Sequence, residues 1–316
     1  MSIIMGTELA RVAASNFAAI SRELVTIPGG TFIMGSPNFH DTLPHQVTVS
    51  SFGISQNPIT NLQYQRFIVS LGDRRFALIG SHPETGAEKL VALASSMDEI
   101  ESVVETSLDR LLCQDCAIIN MGSGILQGAL GMAHIPDHNP PTDFVHPLLP
   151  GNPPANFARP QQPAVTVDWY GAFVYASWYG MRLPREAETE YAARVVPGEK
   201  NLRDYATLSG ELKRAEAHFA EAATIDVDDS RYPALLNGVR HFMGEVWIWQ
   251  GDWYGAYPNG PVTDPIGPAN GIGKVARGGS FYDTDPNFLR AVFRTSDSLD
   301  NRGPDVGFRV ASSLVN

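Results

Sequence analysis

Hydrophobic positions along this chain follow two rhythms, one of helical and one of strand spacing, and each is broken off by irregular stretches. Residues 7–20 carry apolar side chains at helical spacing and predict a short amphipathic helix. In "ELVTIPGGTFIMGS" the period changes to two. Val25 and Ile27 alternate before a Pro28-Gly29-Gly30 turn, and Phe32 and Met34 alternate after it, so a strand is expected on either side. "HQVTVSSF" alternates again through Val47 and Val49. Helical spacing returns with Tyr64, Phe67, Ile68 and Leu71 behind a Thr60/Asn61 cap. Asp168 is expected to cap a further helix bearing Trp169, Ala172, Phe173 and Ala176, with Gly180 as its stop, and Pro184 to open the next helix from its first position.

Between these elements the pattern fails twice. From about 77 to 162, a capping box at Ser96 and Glu99 precedes one apolar helical face, Ile100, Val104, Leu108 and Leu111. A Gly-rich apolar patch and a long Pro/His/Asn tail follow. Proline removes donors and fixes φ, so that tail is excluded from helix and from central strand. The segment reads as an insertion, its helix on the core and its tail over the surface. Residues 197–235 form a second irregular segment. The organisation expected is an N-terminal helix over 1–22 and a single domain over 23–316 carrying both insertions. No internal repeat is evident.

The last stretch obeys neither period. "RGGSFYDTDPNFLRAVFRTSDSL" and "DNRGPDVGFRV" interleave repeated landmarks (RGGS, LR, DNR, GFR) with aromatics, acids and hydroxyls. The landmarks read as scaffold. Arg277, Arg290, Arg294 and Arg309 are expected to fork onto carboxylates such as Asp283, Asp297, Asp300 and Asp305, or onto loop carbonyls. Gly278 and Gly279 allow a tight backbone path, and Trp247, Trp249, Trp253 and Phe308 supply large buried areas where strands are short.

Composition narrows the function classes. With 43 % hydrophobic residues the chain can bury a core, and 29 Gly with 23 Pro imply many turns. A formal charge of −11 and no basic stripe exclude phosphate-driven nucleic-acid binding and adhesion to anionic membranes. No apolar run is long enough to span a bilayer, and "MSIIMGTELA" has no basic region like that of a secretory signal. The expected location is cytoplasmic as synthesised. The two cysteines, Cys113 and Cys116, suit a reducing compartment or incidental thiols. A lone CxxC cannot complete a four-ligand zinc site. Ser280 lacks a nucleophile elbow.

Five phrases carry a resemblance: "IPGGTFIMGS"; "HQVTVSSFGIS" with "TNLQYQRFI"; "PAVTVDWYGAFVYASWYGMRLPREAETEYAAR"; "GEVWIWQGDWYGAYPNGPVTDPIGP"; and "VARGGSF" with "DNRGPDVGFRV". Together they resemble the formylglycine-generating enzyme (sulfatase-modifying factor) family, in that family's order and over roughly two-thirds of the chain. The resemblance implies an α+β, loop-rich variant of the C-type lectin fold, with short antiparallel strands and two or more packed helices. Oxidising members use two terminal cysteines to bind copper and activate oxygen, a task for thiolates. The matching positions here hold Asp283 and Phe288, neither of which can do that work, so a non-catalytic protein is expected. Iron-dependent relatives use an H-x3-H-x-E run. His134 and His138 have the first spacing, but Pro140 stands in place of the acid. The family's structural calcium lies near an N-V-W-E-W motif. Here "GEVWIW" puts Glu245 for the amide, leaving it a weak candidate ligand, and Ile248 for the acid. No other cofactor is expected.

A branch of this fold family resembles the present terminus more closely, namely the variable proteins of diversity-generating retroelements. In these a C-terminal segment ending in a GFR-like phrase is rewritten at adenines. Tyr, Asp, Thr and Ser each lie one adenine change from an asparagine codon, and Phe lies two. The resemblance implies a displayed variable segment over about 275–310. Its expected binding residues are Phe281, Tyr282, Asp283, Thr284, Asp285, Asn287, Phe288, Phe293, Thr295, Asp297, Ser298 and Arg302. Aromatics give rigid contact area and small polar residues adaptable hydrogen bonds, as in antibody paratopes. The expected partner is a protein or a surface glycan, and display of this chain on a cell or virion surface is compatible with the reading. The alternatives are a metal-dependent oxidoreductase of the family or a catalytically dead assembly module.

Overall fold

A computed structural model describes residues 4–37, 42–74, 76–81, 85, 87–96, 98, 99, 102, 130–134, 157, 159–195, 217–232, 234, 235 and 237–314. Helix α1 (Gly6–Ile20) lies where helical spacing places it, preceded by a two-residue strand β1 (Ile4–Met5) that the pattern does not reveal. The strands on either side of Pro28 are β2 (Leu24–Ile27) and β3 (Gly30–Met34). They do not form a hairpin. The proline turn sends them into different sheets: β2 pairs with β5 (Phe52–Ser55), and β3 with β4 (His45–Val49). Strand β14 (Ala311–Ser313) pairs with the other edge of β5, so β2 and β14, far apart in the chain, meet on one central strand.

Helix α2 (Asn61–Ser70) begins with the expected cap. Thr60 Oγ1 accepts the Gln63 N–H, and Gln63 Oε1 accepts the Thr60 N–H at 2.8 Å, a complete capping box. Helix α3 (Trp169–Trp178) is capped by Asp168, whose Oδ1 accepts the Gly171 N–H at 2.7 Å. Nearly every residue of α3 is buried, as befits a helix that is apolar all round. Gly180 ends it at φ +67°, where an added Cβ would stand 3.0 Å from the Ala13 carbonyl oxygen. Helix α4 (Glu186–Arg194) starts two residues later than the proline suggests. Pro184 precedes the cap instead of opening the helix. The start is fixed by acceptors: Asp252 takes the Glu186 N–H and Glu188 takes the Arg185 N–H.

The first insertion differs from expectation. Its described residues include β6 (Phe76–Ser81), β7 (Glu88–Ala94) and β8 (Leu130–His134), which with β1 make an antiparallel sheet in the order β1-β7-β6-β8. Ala77, Ile79, Leu90 and Leu93 share one core cluster with Trp169, Phe173 and Trp249, so this sheet is part of the main core. At Ser96 the Oγ accepts the Glu99 N–H, as a capping box requires. The expected apolar face beyond it, the CQDC pair and His138 lie outside the described residues.

The sheet that carries the terminal segment runs β12-β11-β9-β13, with β9 (Trp247–Trp253), β11 (Lys274–Arg277), β12 (Arg294–Asp297) and β13 (Val306–Gly307). Two strand pairs are parallel, β13 with β9 and β10 (Val262–Thr263) with β4; the other pairs are antiparallel. Buried Lys274 joins this sheet to the insertion. Its ammonium lies 4.3 Å from the Trp169 ring centroid and 4.1 Å from that of Trp253, donates to Gly251 O at 2.8 Å, and pairs with Glu88 of β7.

Candidate ligand-binding site

The arginine landmarks form the frame. Arg277 is 1 % exposed. It donates to Glu186 through Nε at 3.0 Å and Nη2 at 2.7 Å, to Tyr257 Oη at 2.6 Å and to Ala291 O at 2.6 Å, with Glu190 at 3.2 Å. Arg294 donates to Gly255 O at 2.8 Å and Glu186 Oε2 at 3.0 Å, and its guanidinium lies 4.1 Å from the Tyr254 ring centroid and 4.5 Å from that of Tyr257. Arg309 is wired to the carbonyls of Ser55, Gln56, Arg240 and His241. The acids expected to hold these arginines from within the segment do not hold Arg277 or Arg294. Their partners are Glu186 and Glu190 on the inward face of α4, because a charge as buried as Arg277 needs an equally buried counter-charge. The "PREAETEYAAR" phrase gave a signal, acids recurring at helical spacing among small residues, that went unread.

Between these anchors the chain turns sharply. Gly278 and Gly279 adopt φ +105° and +70°, and a Cβ on Gly279 would meet Phe288 O at 3.1 Å. The residues expected to be displayed separate into three groups. Tyr282 is 73 % exposed, and Thr284, Asp285 and Ser298 are exposed, together with Pro286, Ser296 and Asp300. Phe288 and Phe293 are half-buried: their centroids lie 4.8 Å apart and each is 6.0 Å from that of Trp247. Phe281 is a core residue at 2 % exposure, a correction to the expected surface. It packs on Phe157 at 5.5 Å, and its backbone is held on both sides, its N–H by Glu245 O and its carbonyl by Glu221 N–H.

The polar members serve local geometry. The half-buried Asp283 carboxylate accepts the Ser280 N–H at 2.7 Å and its hydroxyl at 2.8 Å, closing the RGGS turn. Asp285 caps the 3-10 turn Pro286–Leu289 by accepting the Asn287 N–H at 2.9 Å and its side-chain amide at 2.9 Å. Asp297 accepts the Ser298 N–H and the Asn301 amide, and Thr295 is half-buried in β12. Arg302 forks onto Asp168 Oδ2 at 3.0 and 2.6 Å, so the helix cap of α3 also latches the last loop. The second insertion supports the segment from below, through Ala220 N–H on Asp283 O and Glu221 N–H on Phe281 O.

This division predicts unequal tolerance. Tyr282→Ala should change unfolding free energy by less than about 0.5 kcal/mol, whereas Phe281→Leu should cost about 1 kcal/mol. Urea denaturation of both variants checks the contrast.

Glu245 is fully buried at φ +68°. Its Oε1 accepts the Ile225 N–H at 2.9 Å, while Oε2 lies 3.7 Å from His218 Nε2. That imidazole nitrogen sits 2.7 Å from Ala223 O, a carbonyl that can only accept, so it carries a proton. Burial pushes the Glu245 carboxyl up to about 8 and His218 down, which makes two neutral partners at neutral pH. Among the described residues no group of three or more His, Cys, Asp or Glu is placed to hold a metal. Nor is a helix among the described residues long and apolar enough to cross a membrane.

Comparison with known proteins agrees with this architecture. The sulfatase-modifying factor enzyme 1-like domain family matches residues 11–314, which includes both insertions. The formylglycine-generating enzyme of Streptomyces coelicolor is 27 % identical over 92 % of this chain and 90 % of its own length. The serine/threonine-protein kinase Pkn1 of Chlamydia trachomatis is 28 % identical over 92 % of this chain, which spans only 38 % of the kinase. Among solved structures, Treponema denticola variable protein 1 has a TM-score of 0.56 at 16 % identity and covers 92 % of this chain and 95 % of its own. PvdO from Pseudomonas aeruginosa gives 0.50 at 20 % identity, with 92 % and 94 % covered. Both likenesses place this architecture in the formylglycine-generating-enzyme variant of the C-type lectin fold. With the match running almost from end to end, the chain belongs to the sulfatase-modifying factor enzyme 1-like domain family.

Proposed function

We propose that the chain is a ligand-binding member of its family, presenting side chains of the segment 275–310 to a macromolecular partner, and that it does not oxidise cysteine. One observation carries this reading. The two positions that match the family's thiolates hold Asp283, whose carboxylate closes a turn on Ser280, and Phe288, which stacks on Phe293 and Trp247. A soft metal has no ligand at either place. Around them Tyr282, Thr284, Asp285, Ser296 and Ser298 are exposed on a backbone held by other side chains. A preorganised loop bearing an aromatic and small polar groups binds with little ordering cost. Because Tyr282 and its neighbours mix an aromatic with acids, a protein partner suits them better than a glycan.

Likeness to a variable protein at 16 % identity concerns the fold, so the reading needs its own test. Sequencing the locus and many clones tests the retroelement origin. The expected result is a reverse-transcriptase gene beside an imperfect repeat of the codons for 275–310, differing at adenines, with clones varying at Tyr282, Thr284 and Ser298. Invariant clones with no such repeat would reject it. Oxidation of a cysteine-containing sulfatase peptide by protein loaded with copper tests the enzymatic alternative, and no turnover is expected.

A further inference from the structure

Beside buried Arg294 at the base of the segment, the loop after β9 and the β10 edge line a cavity of about 420 Å³. Its walls are mainly apolar, formed by Met34, Val262, Ile266 and Pro268, with Tyr257 and His45 as aromatic members whose rings lie 4.9 Å apart. Asp252 opens onto it although the residue is only 3 % exposed. One oxygen of its carboxylate accepts the Glu186 N–H at 2.8 Å, and the other takes no hydrogen bond from any described residue. Unlike Glu190 Oε2 and Glu245 Oε2, that oxygen is not sealed within the protein, so a donor entering the cavity can reach it. The other charges at the cavity are already satisfied: Glu186 is spent on Arg277, Arg294 and Tyr257.

We propose that this cavity binds a small organic ammonium ion, its charge on the unpartnered oxygen of Asp252 and its apolar body against Val262, Ile266 and Tyr257. The volume suits a ring or a short alkyl chain. An ammonium supplies the missing donors, and the aromatic walls favour a cation. Carboxylate and phosphate ligands are disfavoured, because Arg294, the guanidinium at the wall, is held by Glu186 and Gly255 and stacked on two tyrosines.

Binding should depend on pH in a defined direction. Burial, and then Glu186, push the Asp252 carboxyl up to about 7; Glu188 of α4 acts the same way, and Lys274 of β11 opposes them. His45 of β4, Tyr257 and Arg294 of β12 complete the titratable and charged groups facing the cavity. Only the carboxylate form takes an ammonium. The apparent affinity should therefore fall about 30-fold from pH 8 to pH 5.5, in proportion to the carboxylate fraction, while an alkylammonium stays protonated throughout.

Isothermal titration calorimetry with benzylamine, benzyl alcohol and benzoate on the full chain tests this. Benzylamine should bind at pH 8 at least tenfold more tightly than benzyl alcohol, benzoate should not bind, and the amine's affinity should drop at pH 5.5. Asp252→Asn keeps an acceptor for the Glu186 N–H and should abolish the preference for the amine. No heat with benzylamine, equal affinity for the alcohol, or an affinity independent of pH in the unmodified protein would overturn the proposal. The pH series decides it even if the variant does not fold.

Discussion

Replacing Arg277 by alanine should cost about 3–5 kcal/mol of unfolding free energy, the effect of removing one partner from a buried ion cluster. The guanidinium makes four hydrogen bonds and is flanked by Glu186 and Glu190, both within the core. Without it those carboxylates face each other across a buried site. Burial already pushes the Glu190 carboxyl up, and Arg277 is the foremost influence holding it down. The variant should therefore recover part of its loss at pH 5, where Glu190, without Arg277, can take a proton. Urea denaturation at pH 5 and pH 7.5 measures both quantities. A loss below about 1 kcal/mol would show that the terminal segment does not depend on this anchor.

The second large effect is a loss of stability with rising pH, centred on Glu245. Its carboxyl is raised from 4.5 to about 8, chiefly by burial. A carboxyl with a higher pKa in the folded state binds more protons folded than unfolded. Its contribution is therefore fully present below pH 4.5 and is lost as pH rises through about 8. At about 1.4 kcal/mol per unit the bound is about 5 kcal/mol. Asp252, raised from 3.8 to about 7 by burial and by Glu186, works in the same direction. The folded protein should be most stable in mild acid, and Glu245→Gln should flatten the profile and raise stability at pH 8. Thermal unfolding from pH 5 to pH 8.5 decides this. A profile that rises with pH would contradict the assignment of a neutral Glu245.

The sequence made legible whatever depends on local pattern. The caps at Thr60 and Asp168, the stop at Gly180 and the alternation around Val47 all correspond to observed features. It left hidden whatever depends on long-range pairing. Strand β1 is two residues long and forms only because β7 offers it an edge. The insertion sheet was missed because its strands are separated by stretches with no clear period. The fork of Arg277 on Glu186 joins residues far apart in the chain, which spacing cannot show. In the candidate site Arg277, Arg294 and Arg309 are buried, as expected of a frame, whereas Phe281, expected on the surface, lies in the core. Phe281 looks like its neighbour Tyr282 in sequence, yet the two point to opposite fates because Phe157 and the second insertion cover only the first. Asp283 looks like a surface acid but closes a turn. The exposed part of the segment is narrower than expected and includes Tyr282, Thr284, Ser296 and Ser298.

That narrower surface is the account's central claim, and a combined variant tests it most directly. Tyr282, Thr284, Ser296 and Ser298 are each changed to asparagine in one protein, and its urea-unfolding free energy is compared with that of the unmodified chain. Exposed positions are expected to contribute within about 0.5 kcal/mol each, so the four together should shift the free energy by less than about 2 kcal/mol with an unchanged m-value. A loss of 4 kcal/mol or more, or a transition that is no longer cooperative, would mean that these side chains hold the segment in shape and are not free to be exchanged.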